Sequence, residues 1–169
     1  MIDRSFLDVL RKLYTRLNVT HINWAVTGSL DFALQGVPVE VVHDIDLQSD
    51  EAGVYEIERL FADNVIRKVA LSSSNNIRSH FGALMIDGVK VELMGDVAKR
   101  PDDNSEWDEP VDLKRVKRYV QVDEMRVPVL DLEYEYQAYL KMGRTAKAQM
   151  LREWLDNRSD SLALDVKSH

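Results

Sequence analysis

The sequence predicts an α+β domain, a mixed β-sheet with helices packed on it and a short helical segment at the C-terminus. Three observations carry this. Short apolar runs of strand length alternate with amphipathic stretches through the first half of the chain. An Asp87-Gly88 turn joins two longer strand-like runs into a hairpin. From Asp131 onward the apolar residues recur at helical spacing.

Each element follows in order. Phe6, Leu7, Leu10, Leu13, Tyr14 and Leu17 mark an amphipathic helix over 3–17, with Asp3 or Ser5 as its N-cap. Residues 22–27 form a short buried strand. Gly28-Ser29 opens a helix, Leu30 to Gln35, which Gly36 and Pro38 end. His43 to Gln48 is a strand, and Ser49 or Asp50 caps a helix reaching Phe61. Strands follow at Val65–Leu71, Ile77–Ile86 and Val89–Met94. Residues 99–110 are polar and turn-rich, a surface loop. Strands at 115–122 and 126–130 come next, and Pro128 suits an edge position. Leu132, Tyr136, Tyr139 and Leu140 form one helical stripe; beyond Gly143, Ala146, Met150, Leu151, Trp154 and Leu155 form a second. The expected organisation is a core over 1–130, helices packed on it over 131–157, and a flexible tail over 158–169.

The bulk properties exclude several classes. The 169 residues are 45% hydrophobic, enough for a core of one domain. There is no cysteine, hence no disulfide or thiolate site, which suits a reducing cytoplasm. The N-terminus lacks an apolar signal core, and no run reaches membrane-span length. A net charge of −7 argues against a nucleic-acid polymer as the main partner.

The candidate chemistry lies in acids within apolar strands. Asp44 and Asp46 stand at i and i+2, so in a strand both point to one face while Ile45 and Leu47 point to the other. Two adjacent carboxylates repel unless a cation or proton neutralises one. Either they sit at a wet strand edge, or they hold a hard divalent metal such as Mg²⁺ or Mn²⁺. Glu92 lies mid-strand in Val89–Met94 and shares a face with Lys90. It is either a surface acid beside that lysine or a third ligand. Gly28-Ser29, at a strand-to-helix turn, presents N–H groups and a hydroxyl to an anion. Substituting either is expected to weaken nucleotide binding more than metal binding.

The segments VTGSLDFALQG, VHDIDLQ and VKVELMG resemble the signature of the DNA polymerase β-type nucleotidyltransferase superfamily. The likeness is nearest to its small stand-alone prokaryotic members and extends through the C-terminal helices. The Ser29-to-Asp44 gap is slightly long for the pattern, and the third acid is Glu where many members have Asp. The resemblance implies the nucleotidyltransferase fold and metal-dependent transfer of an NMP unit from an NTP to a hydroxyl acceptor, releasing pyrophosphate. It implies Gly28 and Ser29 as phosphate ligands, Asp44 and Asp46 as ligands of both metals, and Glu92 as a metal ligand that helps deprotonate the acceptor. The acceptor is open between a small molecule, a protein and an RNA end. An antitoxin-like, partner-binding role in a two-gene system is the alternative.

Other residues have plainer readings. His43 points with Ile45 to the core side. Arg78 and His80 share a strand face and could line a cleft. Ser72, Ser73 and Ser74 form a polar loop before they are contacts to phosphate. Lys141, Arg144 and Lys147 are either a solvated face or contacts to a triphosphate. Tyr134, Tyr136 and Tyr139 are core packing before they are a base platform.

Overall fold

The computed structural model describes residues 2–167, with side chains through Arg158. The elements run α1 (Arg4–Leu17), β1 (Trp24–Thr27), α2 (Gly28–Leu34), β2 (Ile45–Ser49), α3 (Glu51–Leu60), β3 (Val65–Ser73), β4 (Ile77–Ile86) and β5 (Val89–Lys99). Then come α4 (Leu113–Val116), β6 (Lys117–Val122), β7 (Met125–Leu130), α5 (Leu132–Lys141) and α6 (Thr145–Lys167). The seven strands form one sheet in the order β3-β4-β5-β2-β1-β7-β6. Pairs β2–β5 and β1–β7 are parallel, and the rest are antiparallel, so the sheet is mixed as expected.

Strand alternation sorts the central residues onto two faces. Trp24, Val26, Ile45, Leu47, Val91 and Leu93 point to one face and join Leu10, Leu13 and Leu17 of α1 and Val54 and Ile57 of α3 in the main core. Ala25, Thr27, Asp46, Gln48, Glu92 and Met94 are out of phase with them and point to the other face. There α5 and α6 pack through Leu132, Tyr139, Ala148 and Leu151 onto Phe32 and Val37 at α2. Asp3 caps α1 through Ser5 N–H, Asp50 caps α3 through Gly53 N–H, and Asp131 caps α5 through Tyr134 N–H. Helix α3 approaches β5 closely because position 95 is glycine. A Cβ there would lie 2.5 Å from Val54 Cγ1.

Several expectations change. Pro128 is in β7, an inner strand between β1 and β6 and not an edge. The β1–β7 pairing is confined to Val26 and Val129, so the strand can spare a donor nearby. Strand β2 starts at Ile45, so His43 lies in the preceding loop and is exposed, not turned into the core. Strand β5 runs on to Lys99 through a kink at Asp96, whose φ is +50°. Helix α6 runs to Lys167, and residues 168–169 lie outside the described residues. No described helix is long and apolar enough to cross a membrane.

Candidate active site

The site is built where β1, β2 and β5 lie side by side. Strands β2 and β5 are parallel neighbours in a register that pairs Asp46 with Glu92. Adjacent strands are about 5 Å apart, so two same-face acids at one register position must meet. Their carboxyls lie within hydrogen-bonding reach of each other. Burial first, then the negative charge of Glu92 and of Asp44, pushes the Asp46 carboxyl up to about 7. Lys90 Nζ lies 3.1 Å from Glu92 Oε1 and partly neutralises it. Asp44 sits one residue before β2, half-buried and close enough to raise Asp46. Among the described residues, no three histidines or acids are gathered into a ready metal cage.

Gly28 closes the site from β1. Its φ is +73°, in the left-handed region, and a Cβ built on it would stand 2.6 Å from Asp46 Oδ2. Its N–H faces Glu135 of α5 and helps to hold that carboxyl down. Gly28 therefore makes room for Asp46 as much as it shapes an anion site. The expectation for its substitution changes accordingly: Gly28→Ala should weaken Mn²⁺ binding and MgATP binding together. Isothermal titration with each ligand checks this, and retained Mn²⁺ affinity would show that the Asp46 carboxylate tolerates the methyl group.

Glu135 is a site residue that the strand-based reading missed. It is 4% exposed, accepts from the Thr27 hydroxyl and faces Gly28 N–H, and so braces the turn between β1 and α2. Burial pushes its carboxyl up to about 7, against the lowering effects of Thr27, Lys99, Gly28 N–H and Lys147. Its signal in the sequence is an acid set among the apolar positions Leu132, Ala138 and Tyr139 of one helix. Asp31 was missed for the same reason. It is fully buried in α2, takes a 2.6 Å bond from Gln35 Nε2, and has its other oxygen unpartnered. Burial, then the charge of Glu135, holds its carboxyl well above the usual range.

A cavity of about 420 Å³ opens over these groups, with Thr27, Gly28, Asp46 and Glu92 on its floor and Tyr139 and Arg144 on its wall. Of the three basic residues in the helices, Lys141 is tied to Asp108 at 2.7 Å. Arg144 and Lys147 instead lie over the Tyr139 ring, at 5.3 and 5.5 Å, and have no carboxylate within ion-pair range among the described residues. Lys147 is held below its ordinary value by burial and by Arg144. Tyr139 both packs edge-on against Phe32 and walls the cavity. Ser74 lines the cavity, whereas Ser29 is half-buried beside the floor. Arg78 and His80 do not share the cleft. A register shift separates them, Arg78 stacks on Trp107, and His80 meets Tyr55 at 3.1 Å on the α3 side.

The chain resembles known proteins over most of its length. The family described as aminoglycoside-2''-adenylyltransferase matches residues 9–153. A Thermotoga maritima protein described as a candidate nucleotidyltransferase is 60% identical; the match covers 93% of this chain and 96% of that one, with a TM-score of 0.80. The lincomycin-bound lincosamide antibiotic adenylyltransferase LnuA matches at 10% identity over 89% and 97% of the two chains, with a TM-score of 0.54. The antibiotic-resistance factor ANT(2'')-Ia matches at 12% identity over 99% and 100%, with a TM-score of 0.52. At those identities the last two share the fold alone. No curated protein matches the chain.

Proposed function

The chain belongs to the family described as aminoglycoside-2''-adenylyltransferase and is a nucleotidyltransferase, and from that premise we propose that it moves an NMP unit from an NTP to a hydroxyl acceptor. ATP is the first donor to test. The observation that carries this reading is Asp46 abreast of Glu92 on parallel strands, under a cavity whose wall holds Arg144.

Asp44, Asp46 and Glu92 would hold Mg²⁺ or Mn²⁺. The residues fit such an ion because two carboxyls at one register position of neighbouring strands repel unless a cation or a shared proton neutralises one. Mg²⁺ is commonly held by one or two carboxylates and completes its shell with substrate phosphates and water, so no preformed protein cage is needed. When bound, the metal neutralises phosphate charge and polarises the phosphoryl group. The Ser29 hydroxyl at the Gly28 turn, with Arg144 and Lys147, would take the triphosphate. The acceptor hydroxyl oxygen then forms a bond to the α-phosphorus, and the bond from that phosphorus to the bridging oxygen breaks. The electron pair leaves with pyrophosphate, and Glu92 helps to remove the hydroxyl proton. The core over 1–130 supplies the acids and the helices over 131–157 supply the cations, a division of labour that goes with the expected organisation. The family name puts aminoglycosides among the acceptors to try, beside other small molecules, proteins and RNA ends.

The test uses NTPs labelled at the α-phosphate, Mg²⁺ or Mn²⁺, and a cell extract as acceptor source. Label should move to one extract species with release of equal pyrophosphate. No labelled species with any NTP and either metal, together with no MgATP binding by calorimetry, would sink the reading.

A further inference from the structure

The transfer chemistry occupies one end of the cavity; the other end carries two buried polar groups that it does not use. Gln48 stands two residues beyond Asp46 on the same face of β2, lines the cavity and is 7% exposed. Its Oε1 is buried without a hydrogen-bond partner among the described residues. A buried amide oxygen left unpaired is costly, so such a group next to a cavity calls for a ligand donor.

Lys99 lines the same end and is 6% exposed. Plain alternation from Glu92 and Met94 would turn position 99 to the core face. The kink at Asp96, with its φ of +50°, shifts the phase by one residue, so Val97 and Lys99 follow Glu92 and Met94 into the cavity. The ammonium Nζ donates to Tyr134 Oη at 2.8 Å and sits 5.1 Å from that ring. Among the described residues, no carboxylate lies within ion-pair distance of it. The charge of Glu135 acts on it, after that of Asp108, but the Glu135 carboxyl already takes the Thr27 hydroxyl. Asp108 also acts on it, yet binds the Lys141 ammonium and the Lys99 backbone N–H. A buried ammonium without an anion in ion-pair range is an expensive arrangement, and the kinked strand places this one beside the cavity and a smaller neighbouring pocket.

We propose that this inner end is a subsite for an anionic group, a carboxylate or phosphate, on the hydroxyl acceptor, with Lys99 pairing the anion and Gln48 Oε1 accepting from a neighbouring hydroxyl of the same molecule. The proposal rests on the nucleotidyltransferase reading of the cavity and names its acceptor class, an anionic hydroxy compound in place of a polycation. Asp46 and Glu92 belong to the nucleotide and its metal in that reading and Glu135 to the turn at Thr27, which leaves Lys99 as the cation at the acceptor end.

The experiment is a thermal-shift titration with malonate, inorganic phosphate and spermidine as probes. Wild type, Lys99→Met, Gln48→Leu and Arg144→Ala are compared, with MgATP affinity measured on each by calorimetry. Malonate and phosphate should protect wild type and Arg144→Ala. Lys99→Met should need at least tenfold more of either anion, and Gln48→Leu should leave simple anion binding in place. MgATP affinity should change less than twofold in Lys99→Met. The inner-end site is overturned if anion protection survives in Lys99→Met, if Arg144→Ala alone removes it, or if spermidine protects instead. It is also overturned as an acceptor site if Lys99→Met weakens MgATP tenfold, which would give Lys99 to the nucleotide. The Gln48 role is read separately with tartrate, a hydroxylated dicarboxylate. Gln48→Leu should lose the tartrate advantage over malonate, and an unchanged advantage would remove Gln48. Each variant is read from its own melting baseline, and should Lys99→Met not fold, Lys99→Gln takes its place. Failure of wild type to bind MgATP would count against the transfer reading and leave the anion result standing on its own.

Discussion

Replacing Asp46 with Asn is expected to lower nucleotidyl transfer by on the order of 10³-fold while making the ligand-free protein more stable at pH 8. The loss follows from removing one of two abreast carboxylates that would hold the metal, and removal of a single charge-stabilising partner costs roughly that much. The gain follows from the site itself. The Asp46 carboxyl is pushed up to about 7 from an ordinary 3.8 by burial and by Glu92 and Asp44. Between those values the folded state holds a proton that the unfolded chain has released. Stability is therefore lost as pH rises from about 4 to 7 and stays low above it. A shift of this size corresponds to at most about 4 kcal/mol, reduced by whatever water reaches the carboxyl. Asn carries no charge, and its amide can donate to Glu92 in place of the shared proton. At pH 8 the variant should melt several degrees above wild type without metal, and at pH 4 the two should converge. Mg²⁺ should raise the wild type and leave the variant nearly unchanged. A variant that melts lower at pH 8 and responds to Mg²⁺ like wild type would make Asp46 a structural residue.

How much of this was legible in the sequence depends on which periodicity carried the information. The placement of Asp46 and Glu92 on one face, with Ile45, Leu47, Val91 and Leu93 on the other, needed only strand alternation, and the sheet has that arrangement. What alternation alone does not supply is the neighbour. The parallel pairing of β2 with β5 is set by a crossover through α3, β3 and β4, and local pattern says nothing about it. Lys99 was lost for a different reason. The kink at Asp96 changes the phase of β5, and a loop reading from residue 99 onward concealed the strand's continuation. Glu135 and Asp31 were lost because a helical stripe is recognised by its apolar members. An acid inside such a stripe reads as noise until a partner such as Thr27 or Gln35 is seen beside it.

Glu135 gives the second large effect, and its two obvious substitutions should move stability in opposite directions. Glu135→Leu removes the acceptor of the Thr27 hydroxyl and the carboxyl that faces Gly28 N–H. Each buried donor left unmet costs about 1–3 kcal/mol, so at pH 5 this variant should lose on the order of 3–5 kcal/mol and unfold at markedly lower urea. Glu135→Gln keeps the shape. Its amide oxygen can face Gly28 N–H, and the Thr27 hydroxyl can rotate to accept from the amide nitrogen. The charge, however, is gone. The Glu135 carboxyl is pushed up to about 7 from 4.5, chiefly by burial, so the wild type loses stability as pH rises through that window and the Gln variant lacks this contribution. Asp46 and Asp31 are raised as well, so some of the slope should remain in the Gln variant. Urea unfolding at pH 5 and pH 8.5 decides the matter. The Gln variant should match wild type at pH 5 and exceed it at pH 8.5, whereas the Leu variant should fall below wild type at pH 5. Transfer activity should drop in the Leu variant, because an unbraced turn no longer holds Gly28 against Asp46. If Gln and Leu behave alike at both pH values, the carboxyl is not what braces the turn, and the position matters only for the space it fills.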